Sequence, residues 1–334
     1  MAIDILVMGA GSIGTFVGGS LAAAGVRVKL VGRARVLDAI AEHGIALTDM
    51  DGRARHVPPD TLDLATEVGA DTRPALVLLC VKSAGTAEAA RELAAALPPE
   101  TVVLSLQNGI SNAAQAQRAA PTLRVLAGMV PFNVAELGPG AFHRGTTGRM
   151  AAQDDAALRP WQAVFERALV PLDLHPDMRA VQWGKLLLNL NNPVNALSGL
   201  PLREELLQRD CRRCLAALID EALAALAAAG IAPAQLAAVP AHRLVQILRL
   251  PTPLFRLIAA RMLRIDAKAR SSMADDLALG RKTEVDAFCG EVVRLAQAND
   301  VAAPRNARMV ELVEGWQAGQ AAMAPAAMAQ ALGL

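Results

Sequence analysis

The sequence predicts an α/β fold: a parallel sheet interleaved with helices over its first half and helices alone over its second. Three observations carry this. An apolar strand, Ile3 to Met8, runs straight into Gly9-Ala10-Gly11-Ser12-Ile13-Gly14 and then into an Ala/Leu-rich helix. Short apolar runs fit for strands recur at Val26 to Val31, Leu76 to Cys80 and Thr101 to Leu106. From about Ala156 the texture changes to long Ala/Leu/Arg helical patterns.

The first element is a strand, a glycine turn and a helix, the order that a pyrophosphate-binding βα unit requires. Gly9 permits the tight turn, Gly11 lets the backbone approach phosphate, and Gly14 lets the helix pack on the strand. Ser12 and Ile13 lie in the same loop, and the helix start offers unpaired N–H groups to an anion. This predicts a Rossmann-type dinucleotide-binding domain. The second strand ends in Gly32-Arg33, where an NAD site usually carries Asp or Glu for the ribose 2′-hydroxyl. Arg33 suits a 2′-phosphate, so NADP(H) is the expected cofactor.

Composition bounds the function. At 334 residues the chain exceeds one ordinary α/β domain. Its 33 Lys+Arg balance 32 Asp+Glu, and no basic run is interleaved with aromatics, so a nucleic-acid or anionic-membrane footprint is lacking. The expected partner is a small molecule. With no tyrosine, the Tyr/Lys acid of short-chain dehydrogenases is excluded. The apolar start carries Asp4 and no preceding basic segment, so the glycine fingerprint explains it better than an export signal. No apolar run reaches the about 18 residues of a membrane span, because Leu248 to Ile265 is broken by Pro251, Pro253 and arginines. A cytoplasmic protein is expected. Cys211-Arg-Arg-Cys214 lies in a helical pattern with no second ligand pair, and five dispersed histidines form no ligand cluster, so no metal site is expected.

Along the chain, Gly44 to Val57 reads as a hairpin turning at Asp51-Gly52. Helices are expected from Thr86 to Leu97 and up to about Ala119, and Val125 to Val130 and Gly138 to Met150 as strands closing the sheet. Lys82 and Gln107-Asn108-Gly109 then fall just past strand C-termini, where open α/β sheets keep ligands. His175-Pro176-Asp177 is the expected hinge, dividing a dinucleotide domain, 1–176, from a helical domain, 177–334. In the latter, 203–229 reads as one amphipathic helix stopped by Gly230, and the tail from Gly319 carries no chemistry.

A second constellation, Trp183-Gly-Lys185-Leu-Leu-Leu-Asn189-Leu-Asn191-Asn192-Pro193, sets a cation and three amides among leucines. On a helix Lys185, Asn189 and Asn192 stand at i, i+4 and i+7 and share one face. Buried amides and ammonium groups cost several kcal/mol unless satisfied, so the stripe is read as binding something polar; the bland reading is a solvated face or a cluster before Pro193. Further on, Ser271-Ser272-Met273 precedes Thr283-Glu284, and Ser272, Asp276, Gly280 and Glu284 fall at four-residue steps on one drifting face. Taken alone, this is equally a capped, salt-bridged surface helix.

Together these motifs, with Val81-Lys82 and Gln107-Asn108-Gly109 between them, resemble the ketopantoate reductase (2-dehydropantoate 2-reductase) family in order and approximate spacing over nearly the whole chain. The resemblance implies a Rossmann-type domain, a helical domain and a cleft that takes NADPH and a 2-oxo acid. It implies Lys185 as the general acid, Glu284 as a cleft carboxylate, and Asn189, Asn192 and Ser272 as substrate hydrogen-bond donors, with Lys82 and Asn108 on the nicotinamide side and Asn108 also facing substrate. One departure stands out: the family pattern places the second asparagine four residues after the first, whereas Asn192 follows Asn189 by three and Asn191 competes for the role.

The resulting expectation is NADPH-dependent reduction of 2-dehydropantoate to pantoate, a step toward pantothenate and coenzyme A. The alternatives are a paralogous reductase of another 2-oxo acid, a non-catalytic NADP-binding sensor and, least favoured, a magnesium-dependent isomeroreductase using the carboxylates from Asp275 to Asp286. The apolar composition is compatible with a homodimer.

Overall fold

The computed structural model describes residues 3–260, 263, 269–317 and 319–334. The chain divides into two compact units, residues 1–178 and 179–334. In the first, the elements run β1 (Ile5–Met8), α1 (Ser12–Ala23), β2 (Val28–Val31), α2 (Ala34–His43), β3 (Ile45–Asp49), β4 (Ala54–Val57), β5 (Asp63–Ala65), β6 (Leu76–Leu79), α3 (Thr86–Ala96), β7 (Val102–Ser105), α4 (Asn112–Ala119), β8 (Arg124–Met129), β9 (Val134–Gly138), β10 (Ala141–Arg144), β11 (Met150–Gln153), α5 (Gln162–Arg167) and β12 (Leu172–His175). The main sheet has the order β12-β11-β8-β7-β6-β1-β2-β5. It is parallel except where β11 runs against β8.

The apolar strands are continuous because both faces are covered. Ile5 and Val7 of β1 pack with Phe16 and Leu21 of α1, while Leu6 and Met8 turn to the opposite layer with Ala90 and Leu93 of α3. Strand period 2 thus feeds two cores from one run of four apolar residues.

The hairpin at Asp51-Gly52 forms, as β3 and β4, with Gly52 at φ +79 and the Asp49 carboxylate accepting from the backbone N–H groups of Asp51 and Arg53. The strands expected to close the main sheet are divided instead. β8 and β11 join it, but β9 and β10 form a second sheet, in the order β4-β3-β10-β9. The reason is local: Gly140 turns at φ +68 against the start of β3, its carbonyl accepting from Ala46 N–H, so β10 pairs with β3.

In the second unit the described elements are helices: α6 (Met178–Asn189), α7 (Asn191–Ser198), α8 (Leu202–Leu207), α9 (Arg209–Ala228), α10 (Ala241–Arg249), α11 (Thr252–Ile258), α12 (Ser272–Ala278), α13 (Cys289–Gln297), α14 (Pro304–Glu314) and α15 (Pro325–Ala331). Two differences from expectation have physical causes. The stretch 203–229 is two helices, because Gln208 is extended (ψ 118) and lets α8 and α9 bury opposite commitments, Glu205 and Arg212. The Lys185 to Asn192 stripe is interrupted at Leu190, since Pro193 has no N–H to give the Asn189 carbonyl four residues earlier.

The Arg212 guanidinium is fully buried and donates to the carbonyls of Leu206, Leu248 and Leu250 and to Thr252 Oγ1, with its Cζ 4.2 Å from the Phe255 ring centre. The C-terminal tail packs on its own unit: Met328 and Ala329 of α15 are buried, and Met323 N–H donates to the Leu197 carbonyl. Among the described residues no helix is long and apolar enough to cross a membrane; Arg261, Met262, Arg264 and Ile265, at the end of the proline-broken apolar stretch, lie outside them.

Candidate active site

In the first unit the glycine turn is built by contact. Gly9 sits at φ +111, and a Cβ there would lie 2.6 Å from Val81 N and 2.8 Å from the Cys80 carbonyl carbon. A Cβ on Gly14 would lie 2.1 Å from the Gly9 carbonyl oxygen and 3.0 Å from the Cys80 Cβ, so α1 approaches β1 and β6 as closely as backbone allows. Gly11 differs: a Cβ there would meet nothing within 4 Å. As the N-cap of α1 it offers no side chain, so the first-turn N–H groups take no bond from a capping residue. Ser12 and Ile13 follow, half-buried. At the end of β2, a Cβ on Gly32 would lie 2.6 Å from the Ala10 Cβ, and Arg33, exposed, is the N-cap of α2.

Lys82 is exposed beyond β6, and Asn108 is half-buried beyond β7. The two loops are tied by buried polar groups. Gln107 Nε2 donates to the Val81 carbonyl (2.9 Å) and Thr86 Oγ1 (2.6 Å), and the Ser105 hydroxyl donates to Gln107 Oε1 (3.0 Å). Asn112 Nδ2 donates to the Asn108 carbonyl and to Ser83 Oγ (3.2 Å). Sequence reasoning quoted Gln107 but missed Thr86 and Asn112. A polar pair in the first turns of α3 and α4 was the available signal. Burial lifts the neighbouring Cys80 thiol to about 12, which keeps it protonated and unreactive.

In the second unit Lys185 lies on α6 between the buried Gly184 and Leu186. Burial pulls its ammonium down to about 8 from the usual 10.5, because desolvation penalises the charged form. Asn189, buried, ends the same helix. Of the competing amides, Asn191 Nδ2 is committed to Glu205 (3.1 Å), while Asn192 is half-buried. Ser271 is the N-cap of α12, its Oγ accepting from Ala274 N–H at 3.1 Å, and leaves Ser272 exposed at the first helical position. Glu284 is not on that helix. α12 ends with Gly280 at φ +62, Gly280 N–H bonding to the Leu277 carbonyl and Arg281 N–H to that of Asp276, a Schellman stop that breaks the face drawn from Ser272 to Glu284. Glu284 follows, half-buried, just before a short 3₁₀ turn.

Sequence reasoning missed Glu205 altogether. It is fully buried, its Oε2 accepts from Asn191 and Asn195, and burial raises its carboxyl to about 8 despite those two donors. Its place in Arg203-Glu204-Glu205-Leu206 looks like a solvated helix start, so no local signal marked it. Cys211 and Cys214 are free and buried, and burial raises both thiols. Among the described residues no group of three or more His, Cys, Asp or Glu is placed to hold a metal ion, and Asp286 pairs with Arg294 at 2.8 Å.

The Rossmann-type sheet, and the second unit whose described elements are helices, one of them carrying the half-buried Lys185, match a family of oxidoreductases. The family model "Ketopantoate reductase PanE/ApbA" matches residues 5–156, and its C-terminal counterpart matches 177–317. A 2-dehydropantoate 2-reductase of Halobacterium salinarum is 30% identical over 318 residues, 92% of this chain and 97% of that protein. One from Pyrococcus horikoshii is 25% identical over 330 residues, covering 93% and 97%. The crystal structure of a PanE/ApbA family ketopantoate reductase from Ralstonia eutropha superposes with TM-score 0.79 at 28% identity, covering 93% of this chain and 97% of that one. A D-mandelate dehydrogenase with NADH and anilino(oxo)acetate shares the fold, with TM-score 0.77 at 20% identity over 94% and 97% of the two chains. The chain belongs to the ketopantoate reductase family.

Proposed function

We propose that this protein reduces 2-dehydropantoate to pantoate with NADPH. The observation that carries the reading is Lys185: an ammonium drawn by burial to about 8, on the helix that ends in Asn189 and one residue before the helix that holds Asn192, in a chain of this family. Bound NADPH would supply the hydride to the 2-oxo carbon. Negative charge then develops on the carbonyl oxygen, and Lys185 Nζ–H gives it a proton, leaving neutral lysine and the alcohol. An acid whose pKa lies near the working pH is suited to this transfer. Glu284 would favour the charged form of Lys185 before transfer, and Asn189, Asn192 and Ser272 would hold the substrate's polar groups by hydrogen bonds.

The open space at Gly11 and the uncapped start of α1 fit the pyrophosphate of a dinucleotide at Gly9, Gly11, Ser12, Ile13 and Gly14. Lys82 and Asn108 would hold the nicotinamide side. Arg33 at the N-cap of α2 supports a 2′-phosphate and so NADP over NAD. Arg33→Asp is expected to weaken NADPH at least tenfold while sparing NADH, measured as the ratio of kcat/KM for the two; an unchanged ratio removes Arg33 from cofactor choice.

The test of the reaction is NADPH oxidation followed by absorbance, with ketopantoate compared against a panel of 2-oxo acids and repeated with NADH. Turnover of ketopantoate with kcat/KM of about 10⁴ M⁻¹s⁻¹ or more is expected. The three-residue spacing from Asn189 to Asn192 favours, as the second reading, a 2-oxo acid with a different side chain, and turnover of such an acid alone would select it. NADPH binding without oxidation of any acid would leave a sensor. Four free cysteines support a reducing, cytoplasmic setting, and a dimeric family structure from Staphylococcus aureus supports a homodimer.

A further inference from the structure

The second unit contains a polar chain that the proposed reaction does not itself use. Glu205 of α8 is fully buried, and its Oε2 accepts from Asn191 Nδ2 at 3.1 Å and Asn195 Nδ2 at 3.0 Å. Those two asparagines stand at i and i+4 on α7, so one carboxyl oxygen spans its first turn. Asn195, also fully buried, donates to the Leu200 carbonyl (2.8 Å), and its Oδ1 accepts from Ser271 N–H at 2.9 Å. Ser271 Oγ returns to α7 by donating to the Asn192 carbonyl at 3.3 Å. The chain Glu205–Asn195–Ser271–Asn192 therefore closes on the Asn192 carbonyl and includes the residue that precedes Ser272; the side chains of Asn192 and Ser272 both keep exposed surface.

Such an arrangement is costly to bury and is satisfied on one side only. Among the described residues, the buried Glu205 Oε1 and Asn191 Oδ1 have no hydrogen-bond partner. A neutral carboxyl tolerates this far better than a carboxylate, and burial holds Glu205 in that form up to about pH 8. Apolar residues at Glu205, Asn191 and Asn195 together would remove the cost, so stability alone does not account for this polar group.

We propose that Glu205 is a positioning residue for substrate binding: by clamping Asn191 and Asn195 across the first turn of α7 it sets the rotation of Asn192, and through Asn195 and Ser271 it sets the start of α12, which carries Ser272. This rests on the reading that Asn192 and Ser272 contact the 2-oxo acid. Asn191 then serves the site from behind, its Nδ2 taken by Glu205 and its Oδ1 buried.

The test is steady-state kinetics with ketopantoate and NADPH, together with Tm, on Glu205→Leu, Glu205→Gln and Asn191→Leu, with Asn192→Ala and Ser272→Ala as controls. Glu205→Leu removes the acceptor, and Asn191→Leu cuts one arm but leaves Asn195 in place should the first variant fail to fold. The expected result is that ketopantoate KM rises at least tenfold in Glu205→Leu or Asn191→Leu with NADPH KM within twofold, and that Glu205→Gln, which keeps an acceptor oxygen, restores it. Folded leucine variants with an altered Tm but unchanged ketopantoate KM, while the controls raise it, would reduce Glu205 to a structural residue. Glu205→Gln no better than Glu205→Leu would also overturn the clamp. Unchanged KM in both controls would overturn the substrate-contact reading, and the clamp with it.

Discussion

Replacing Lys185 with alanine lowers kcat for the proposed 2-oxo acid reduction by about 10²–10⁴ while NADPH still binds. The substitution removes the proposed acid, which must be protonated to act. With its pKa drawn to about 8, kcat is expected to be level below that pH and to fall tenfold per unit above it. That descending limb should vanish in Lys185→Ala, whose residual rate has no lysine to titrate. A pH series of kcat on both proteins checks it, and near-wild-type turnover of the variant would reject the acid role. Stability moves the other way. Folded Lys185 titrates near 8 and unfolded lysine at 10.5, so between those pH values the unfolded chain holds more protons and stability rises with pH, by up to about 1.4 kcal/mol per unit. Below about 8 the buried ammonium is a net cost, so Lys185→Met should be inactive yet have a higher Tm at pH 7. An ammonium held there for the proposed acid role is maintained against the stability of its own helix.

Arg212→Ala is the second large effect, a loss of about 3–5 kcal/mol in unfolding free energy. Among the described residues the guanidinium serves three carbonyls and a hydroxyl, at 2.9–3.2 Å, from the ends of α8 and α10 and the start of α11. Removing it leaves those oxygens buried and unpaired, opens a cavity beside Phe255 and loses the cation–π contact. At about 2–4 °C per kcal/mol for a body of this size, Tm should drop by roughly 10 °C. Arg212→Lys should recover only part, because an ammonium cannot reproduce the planar fork that reaches three carbonyls. A loss below about 1 kcal/mol would mean that water replaces the guanidinium.

Both residues were visible in the sequence, but to different degrees. Lys185 stood out because a cation and three amides among leucines need an explanation, whereas Arg212, between Cys211 and Cys214, read as part of an unremarkable helix. The difference lies in where the partners are. Arg212 bonds to carbonyls 36 and 38 residues away, and a backbone carbonyl leaves no mark in composition. The same holds for Asn195 and the Ser271 N–H, 76 residues apart.

What the sequence by itself determined is everything carried by short-range rules: the glycine turn and its strand, the alternation that buries β1 on two faces, the Asp51-Gly52 hairpin, and the helical texture of the second unit. These depend on sterics and periodicity within a few residues. Only the tertiary structure decided that β9 and β10 leave the main sheet, that Gln208 breaks a helix with no proline or glycine at the break, that Glu284 lies beyond the stop at Gly280, and that Asn191 turns to Glu205 while Asn192 does not. The pairing of β10 with β3 and the stop at Gly280 follow backbone turns at positive-φ glycines, whereas the Gln208 break and the turn of Asn191 accompany buried polar groups that find their partners elsewhere in the fold, a demand whose strength comes from the absence of water there.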